Sequence, residues 1–214
     1  AAENGIGELK TLSAHFNIMA EKLQNQMDEI RRNEREKRKM EKKLLQSQIN
    51  PHFLYNTLDT IYMLARINGE EKTMKMIQAL SKYLRLSLSK GREIVTVEDE
   101  LENVKSYMEI QQIRNENLFR YEIECGEELK TRWILKLILQ PIVENALYHG
   151  LEGMYGDGEI VIHAYTKDGD LYISVKDNGM GMSKEQAEAL LDYTKELKTA
   201  KGNGIGVRNV HERI

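Results

Sequence analysis

The sequence predicts an α+β protein: a long helical coiled coil, an antiparallel helical hairpin that forms a four-helix bundle in a dimer, and a separate domain of strands and helices. Three observations carry this expectation. Apolar residues recur at heptad spacing from Leu9 onward, "NGEE" at 68–71 divides two amphipathic stretches, and period-two alternation sets in from residue 118.

Composition narrows the class. The 214 residues allow one or two domains, and 41% hydrophobic with 30% charged residues gives a core beneath a large solvated surface. The net charge of −3 offers no global attraction to nucleic acid or acidic lipid, so no nucleic-acid partner is expected. A single cysteine, Cys125, excludes an internal disulfide framework and fits a reducing compartment. No apolar run approaches the roughly 20 residues that cross a bilayer, and no signal peptide is visible. The chain as given therefore reads as soluble, and its start inside a helical pattern suggests a fragment.

Residues 8–67 read as one helical rod. Steps of three and four from Leu9 reach Leu12, Phe16, Met19, Leu23, Gln26, Ile30, Asn33, Lys37, Met40, Leu44 and Ser47, and eight of these twelve positions are apolar. A continuous rod of that length would be about 90 Å long and needs a partner to bury its stripe, which implies a parallel dimer. The basic run "RRNEREKRKMEKK" (31–43) lacks interleaved aromatics and reads as the solvated surface of the coil. The seam continues through Pro51 to Leu54, Leu58, Ile61 and Ala65. After the "NGEE" turn, Met74, Ile77, Leu80, Leu84 and Leu88 form the inner face of a second helix, closed by Gly91.

Beyond it, Thr96 and Asp99 resemble a capping box for a helix to about Asn115. Residues 118–125 alternate as a strand, 130–149 read as one apolar helix, and 159–165 and 170–177 are strands joined at Asp168-Gly169. Ser183 caps a short helix, and "KGNGIGVRNVHERI" is a glycine-rich loop entering a last one.

Four places in this frame could carry chemistry. In "QINPHFLYNTL" (48–58), His52 lies about 140° from the apolar seam at roughly 100° per residue, with Asn56, Asp59 and Met63 on its side. An interior Pro51 would leave the Ser47 carbonyl without its helical partner at about 3 kcal/mol. A functional histidine and a solvated one beside a kink both fit. In "LQPIVENALYHG" (139–150), Glu144, Asn145 and His149 interrupt an apolar helix, with Asn145 and His149 one turn apart. An amide oxygen and a carboxylate suit Mg²⁺, or simply cap a buried helix end. In "DNGMGM" (177–182), Asp177 ends a strand, where a carboxylate can accept from a ligand N–H or simply belong to a strand-ending turn. Gly179 and Gly181 there permit close approach or positive φ. In "GNGIGV", Gly202, Gly204 and Gly206 at a helix start suit phosphate, although the pattern is neither a dinucleotide fingerprint nor a P-loop.

The order of these four segments resembles a sensor histidine kinase of a two-component system. The last three resemble the N, G1 and G2 boxes of the GHKL (Bergerat-type) ATPases, whose ATP-binding domain is an α/β sandwich. "QINPHFLYNTL" and "LQPIVENALYHG" resemble the LytS/YesM-like branch. The resemblance covers about residues 44–214. Residues 7–30 are similar to the last helix of a HAMP linker, which normally follows a transmembrane helix.

The resemblance implies a HAMP-like end at 1–30, a coiled coil and dimerising phosphotransfer hairpin at 31–92, and a GHKL catalytic domain at 93–214. Nε2 of His52 would take the γ-phosphate of ATP and pass it to an aspartate on a response-regulator receiver domain. Asn145 would hold Mg²⁺ with Glu144 in support, directly or through water, and His149 belongs to the same nucleotide site. Asp177 would read the adenine amino group, Gly179 and Gly181 would shape its pocket, and residues 183–201 would form a lid. Gly202, Gly204 and Gly206 would let the lid base close over the phosphates. Asn56 matches a position implicated in dephosphorylation. The resemblance also implies a homodimer in the cytoplasm, joined to the bacterial inner membrane by an N-terminal part.

Three departures stand out: Tyr148 replaces the usual lysine, Phe53 follows His52 where other branches place an acid, and the chain stops at "NVHERI", where the family usually continues with another strand or two. Two rivals compete with the kinase: an ATP-gated clamp with Glu144 as water-activating base, and a non-catalytic dimeric scaffold.

Overall fold

The computed structural model describes residues 19, 22–24, 26–27, 29–34, 36–37, 50–88, 92–115, 119–154, 156–191 and 205–214. The chain divides into two compact units, Ala1–Asn50 and Pro51–Ile214. In the first, the described residues 19–37 are helical and form α1. Its apolar residues Met19, Leu23, Met27 and Ile30 are all exposed and recur at heptad spacing. The heptad positions before Met19 and from Met40 to Ser47 lie outside the described residues.

The second unit opens with a helical hairpin. Helix α2 is Pro51–Ile67, the turn is Asn68-Gly69-Glu70, and α3 is Glu71–Ser87. Asn50 is not helical and Pro51 is the first residue of α2, so the helix does not run through the proline. The physical reason is local. A residue before proline avoids the α region, and a proline in the first helical turn gives up an N–H that has no intrahelical partner anyway. The cost of an interior proline does not arise. Gly69 adopts φ 70°, with bonds Gly69 N–H to Arg66 O (3.2 Å) and Glu70 N–H to Ala65 O (2.9 Å), a Schellman stop.

Leu54, Tyr55, Leu58, Tyr62 and Ala65 turn toward α3, and Ile61, expected on the seam, is exposed. The Tyr55 hydroxyl donates to Leu84 O (3.5 Å), Gln78 Nε2 donates to the Tyr62 hydroxyl (3.2 Å), and Arg85 lies 5.4 Å over the Tyr55 ring. Phe53, Ile61, Leu64 and Ile67 form a second apolar stripe, spanning about 120° of α2, that the hairpin leaves exposed.

Helix α4 (Val97–Arg114) begins at the expected cap, with Asp99 N–H donating to Thr96 Oγ1 (3.1 Å). Before it, β1 (Ile94–Thr96) pairs antiparallel with β3 (Trp133–Leu135). The main sheet has the order β2-β4-β5: β2 (Phe119–Cys125) runs parallel to β4 (Gly158–Lys167), and β4 antiparallel to β5 (Asp170–Asp177). Asp168 and Gly169, at φ 53° and 91°, make the tight turn between β4 and β5.

The stretch 130–149 is not one helix. It comprises the end of the short α5 (Glu127–Lys130), β3, a turn, α6 (Gln140–Asn145) and part of a π turn over Ala146–Gly150. Two tertiary contacts redirect it. Pairing with β1 extends residues 133–135, and the buried carboxylate of Glu100 accepts from Leu137 N–H (2.8 Å) and Leu139 N–H (3.0 Å), holding Leu137 at φ 58°. Helix α7 (Lys184–Leu191) carries a reciprocal cap: Gln186 N–H donates to Ser183 Oγ (3.2 Å), and Ser183 N–H to Gln186 Oε1 (2.8 Å). Helix α8 is Ile205–Arg213.

Helices α4 and α6 cover one face of the sheet, giving the two-layer α/β sandwich expected of a GHKL-type domain. Its core joins Val97, Leu101, Val104 and Met108 to Val143, Leu147 and Leu151 and to Ile160 and Ile162. Each such aliphatic side chain contributes about 1.5–3 kcal/mol on full burial, against about 0–1 for exposed ion pairs such as Arg120 with Glu159. Among the described residues, no helix is long and apolar enough to cross a membrane.

Candidate nucleotide and phosphoacceptor site

His52 stands exposed in the first turn of α2, on neither apolar stripe. One turn on, Asn56 brings Nδ2 within 3.3 Å of His52 Nδ1, so the two side chains are partners on one face. The neighbouring hydroxyls are occupied locally, Thr57 donating to Phe53 O and Thr60 to Asn56 O, each at 2.8 Å.

The other candidates converge at the end of α6. Asn145 closes α6, and the π turn follows, with Leu151 N–H bonded to Ala146 O five residues back (3.0 Å). His149 therefore sits inside a wide turn rather than one regular turn above Asn145. The π turn delivers Gly150 against the end of β5. A Cβ on Gly179 would lie 1.7 Å from Gly150 O, and a Cβ on Gly150 would lie 2.6 Å from the Asp177 carboxylate. Met180 N–H donates to Gly150 O (3.2 Å), and Asp177 Oδ1 accepts from Gly179 N–H (3.0 Å). Gly179 thus serves close approach, whereas Gly181, at φ 66° with open space around it, serves conformation. Asn178 fastens the same turn to the start of β4, accepting from Glu159 N–H (2.8 Å) and donating to Asp157 O (2.9 Å).

Gly150 and Asn178 are the site-building residues that sequence reasoning missed. Gly150 ends a helix-like motif and looks like an ordinary stop, and its partner is distant in sequence. Gly206 lies inside α8 rather than in a loop. A Cβ there would meet Pro141 Cβ at 3.1 Å, so the glycine lets α8 pack on the start of α6. Arg213 ties the other end of α8 to the carbonyls of Lys136 (2.6 Å) and Leu137 (3.3 Å). Gly202 and Gly204 lie outside the described residues.

Glu144, half-buried, is engaged by Gln140, whose Nε2 donates to Glu144 Oε1 and to the Tyr83 hydroxyl, both at 2.8 Å. Tyr148 is exposed, and its hydroxyl oxygen accepts from Gln111 Nε2 (3.1 Å) and from the Tyr107 hydroxyl (3.5 Å). Burial above all, then the bond to Tyr148 and the charge of Glu144, pushes the Tyr107 phenol well above its ordinary pKa. Among the described residues, no group of three or more His, Cys, Asp or Glu side chains gathers to hold a metal ion. The donor set beside Asn145 suits a hard cation that draws its remaining oxygens from substrate phosphates and water. The glycine-lined junction admits no side chain, because the backbones of Gly150 and Gly179 and the Asp177 carboxylate fill it.

A helical hairpin displaying a histidine, followed by an α/β sandwich with a glycine-built junction at one sheet end, is the arrangement expected of a histidine kinase core. The chain belongs to the histidine kinase family, in its LytS/YesM-like branch. A family model described as "Histidine kinase" matches residues 40–119, and one described as "Histidine kinase-, DNA gyrase B-, and HSP90-like ATPase" matches residues 132–214. The chain is 37% identical to sensor histidine kinase YesM of Bacillus subtilis (strain 168) over 207 residues, 97% of this chain and 34% of that one. It is 36% identical over 173 residues to sensor protein LytS of Bacillus cereus, covering 80% of this chain and 29% of LytS. It is also 36% identical over 136 residues to sensor histidine kinase BtsS of Escherichia coli (strain K12), covering 64% and 24%. The chain spans about a third or less of the length of these relatives.

Proposed function

We infer that this chain autophosphorylates His52 from ATP and passes the phosphoryl group to an aspartate on a response regulator. The observation that carries this reading is the backbone junction of Gly150, Gly179 and Asp177, which unites two glycine-containing motifs in the same compact unit as the His52 hairpin.

The lone pair of His52 Nε2 attacks the γ-phosphorus. A P–N bond forms, the bond to the β,γ-bridging oxygen breaks, and its electron pair leaves with ADP. The Asn56 amide governs which ring nitrogen is nucleophilic. With its oxygen toward the ring it accepts a hydrogen bond from Nδ1–H, and the Nε2 lone pair stays available. With its N–H toward the ring, the neutral imidazole carries its proton on Nε2 and cannot attack. Asn56 is also the residue we assign to dephosphorylation. Asp177 uses Oδ1 to hold its own turn and offers Oδ2 to the adenine amino group. Asn145, with Glu144 directly or through water, would hold Mg²⁺, which neutralises phosphate charge when bound. His149 completes that side of the site. Gly181, and Gly202, Gly204 and Gly206 at the base of the lid, shape the remaining walls.

The exposed stripes of α1 and α2 support a homodimer with a four-helix bundle. We assign residues 1–30 to a HAMP-like linker end, 31–92 to the coiled coil and phosphotransfer hairpin, and 93–214 to the catalytic domain. The whole receptor would sit in a bacterial inner membrane, with this part in the cytoplasm.

The test is incubation with γ-labelled ATP and Mg²⁺. The expected label is acid-labile, alkali-stable and absent from His52→Gln. Label that survives His52→Gln sinks the assignment, and phosphate release without labelled protein points to the clamp.

A further inference from the structure

Glu144 is tied to the helical hairpin. Gln140 sits one turn before it on α6 and spends both protons of its amide nitrogen, one on Glu144 Oε1 and one on the Tyr83 hydroxyl of α3. The Tyr83 ring is itself fixed, lying 6.1 Å from the Tyr107 ring of α4 at a tilt of 42°. Tyr107 and Gln111 of α4 in turn donate to Tyr148 in the π turn. A Gln–Glu pair one turn apart on an exposed helix is a minor contact. Here all three side chains are half-buried, and the amide that orients the acid also reaches the neighbouring helix of the hairpin.

We propose that Tyr83 and Gln140 are positioning residues for phosphoryl transfer: through their bridge, the place of hairpin helix α3 sets the Glu144 carboxylate beside the nucleotide site. This rests on the kinase reading. Hydrogen bonds fail within less than an ångström beyond 2.8 Å, so a helix shift of about 1–2 Å, ordinary for signalling transitions, is enough to break the bridge. Gln140 would then hold an unpaired, half-buried N–H and Glu144 would lose its fixed rotamer. The position of α3 thereby becomes an input to the catalytic side of the molecule.

Tyr83→Phe keeps the ring against Tyr107 and removes only the oxygen. Loss of one such bond is expected to lower the rate constant of His52 labelling at saturating ATP about three- to tenfold. Affinity for a non-hydrolysable ATP analogue should stay within about twofold of wild type, a split that general destabilisation would not give. Gln140→Leu should act alike, and the double variant should be no slower than the slower single, because both residues belong to one bridge. An unchanged rate in Tyr83→Phe, or fold-losses that multiply in the double variant, overturns the proposal.

A readout free of turnover separates this from the kinase reading. In protein with ¹³C-labelled glutamate carboxyls, Tyr83→Phe should move the Glu144 signal, and an unmoved signal overturns the bridge even in a chain that takes up no label. Wild-type protein without label but with a moved Glu144 signal sinks the kinase reading and leaves the bridge standing.

Discussion

Replacing Gly179 with alanine would set a methyl carbon 1.7 Å from the Gly150 carbonyl oxygen, and real Cβ atoms come no closer than about 3.0 Å. The two backbones must part by more than an ångström. That breaks the 3.2 Å bond from Met180 N–H to Gly150 O, worth about 1 kcal/mol net, and adds an overpacking cost of about 1–3 kcal/mol. The sum, about 2–4 kcal/mol, corresponds to a fall in melting temperature on the order of 5–10 °C for a unit of this size. On the proposed function, parting the junction moves Asp177 relative to the π turn, so affinity for an ATP analogue should fall at least about tenfold, the equivalent of about 1.4 kcal/mol. Gly181→Ala is the control. Its φ of 66° strains alanine by roughly 1–2 kcal/mol, but its Cβ would meet no atom within 4 Å. Fluorescence titration with an ATP analogue, beside thermal melts, ranks the two. Equal effects at the two positions, or wild-type binding by Gly179→Ala, would refute the close-approach argument.

The other expectations are simpler. Leu64→Glu sets a charge in the exposed stripe of α2 and should turn a dimer into a monomer in light scattering while the helical circular dichroism of the hairpin persists. Thr96→Ala removes the acceptor for Asp99 N–H and should cost about 1 kcal/mol in urea unfolding. Burial first, then the charges of Glu109 and Glu102, pushes the Tyr121 phenol from 10.0 up to about 12. Between those values the unfolded chain has lost a proton that the folded chain keeps. This contribution to stability is therefore complete below pH 10 and falls as pH rises toward 12. Tyr121→Phe should flatten that alkaline loss in pH-dependent melts.

The parts legible in the sequence are those whose physics is local. The Thr96 cap, the Asp168-Gly169 turn, the turn at 68–71 and the Ser183 cap each depend on residues within a few positions, and each forms as expected. What was not legible depends on distant partners. Strands β1 and β3 are three residues each and exist by pairing with one another. The apolar run 130–149 has helical composition, but Glu100, from another helix, captures its backbone at Leu137 and Leu139. Pro51 looks the same on a helical wheel whether it interrupts a helix or begins one. The heptad reading puts Leu54, Leu58, Ile61 and Ala65 on one seam; within the hairpin Leu54, Leu58 and Ala65 face α3 together with Tyr55 and Tyr62, and Ile61 lies on the exposed stripe. At the site, the motif residues were visible, but the contact of Gly150 with Gly179 was not, since nothing in a glycine names its neighbour.

The π turn has a consequence for tolerance to change. It fits one more residue into its length of axis than an α-helical turn would, and that extra residue brings Gly150 up to Asp177 and Gly179. The joint between helix and sheet is thus held by a count of residues as much as by their kinds. Exchanging a side chain between Asn145 and Gly150 leaves that count intact, even where it costs core packing at Leu147, yet removing a single residue would let the turn relax to α geometry and pull the joint apart.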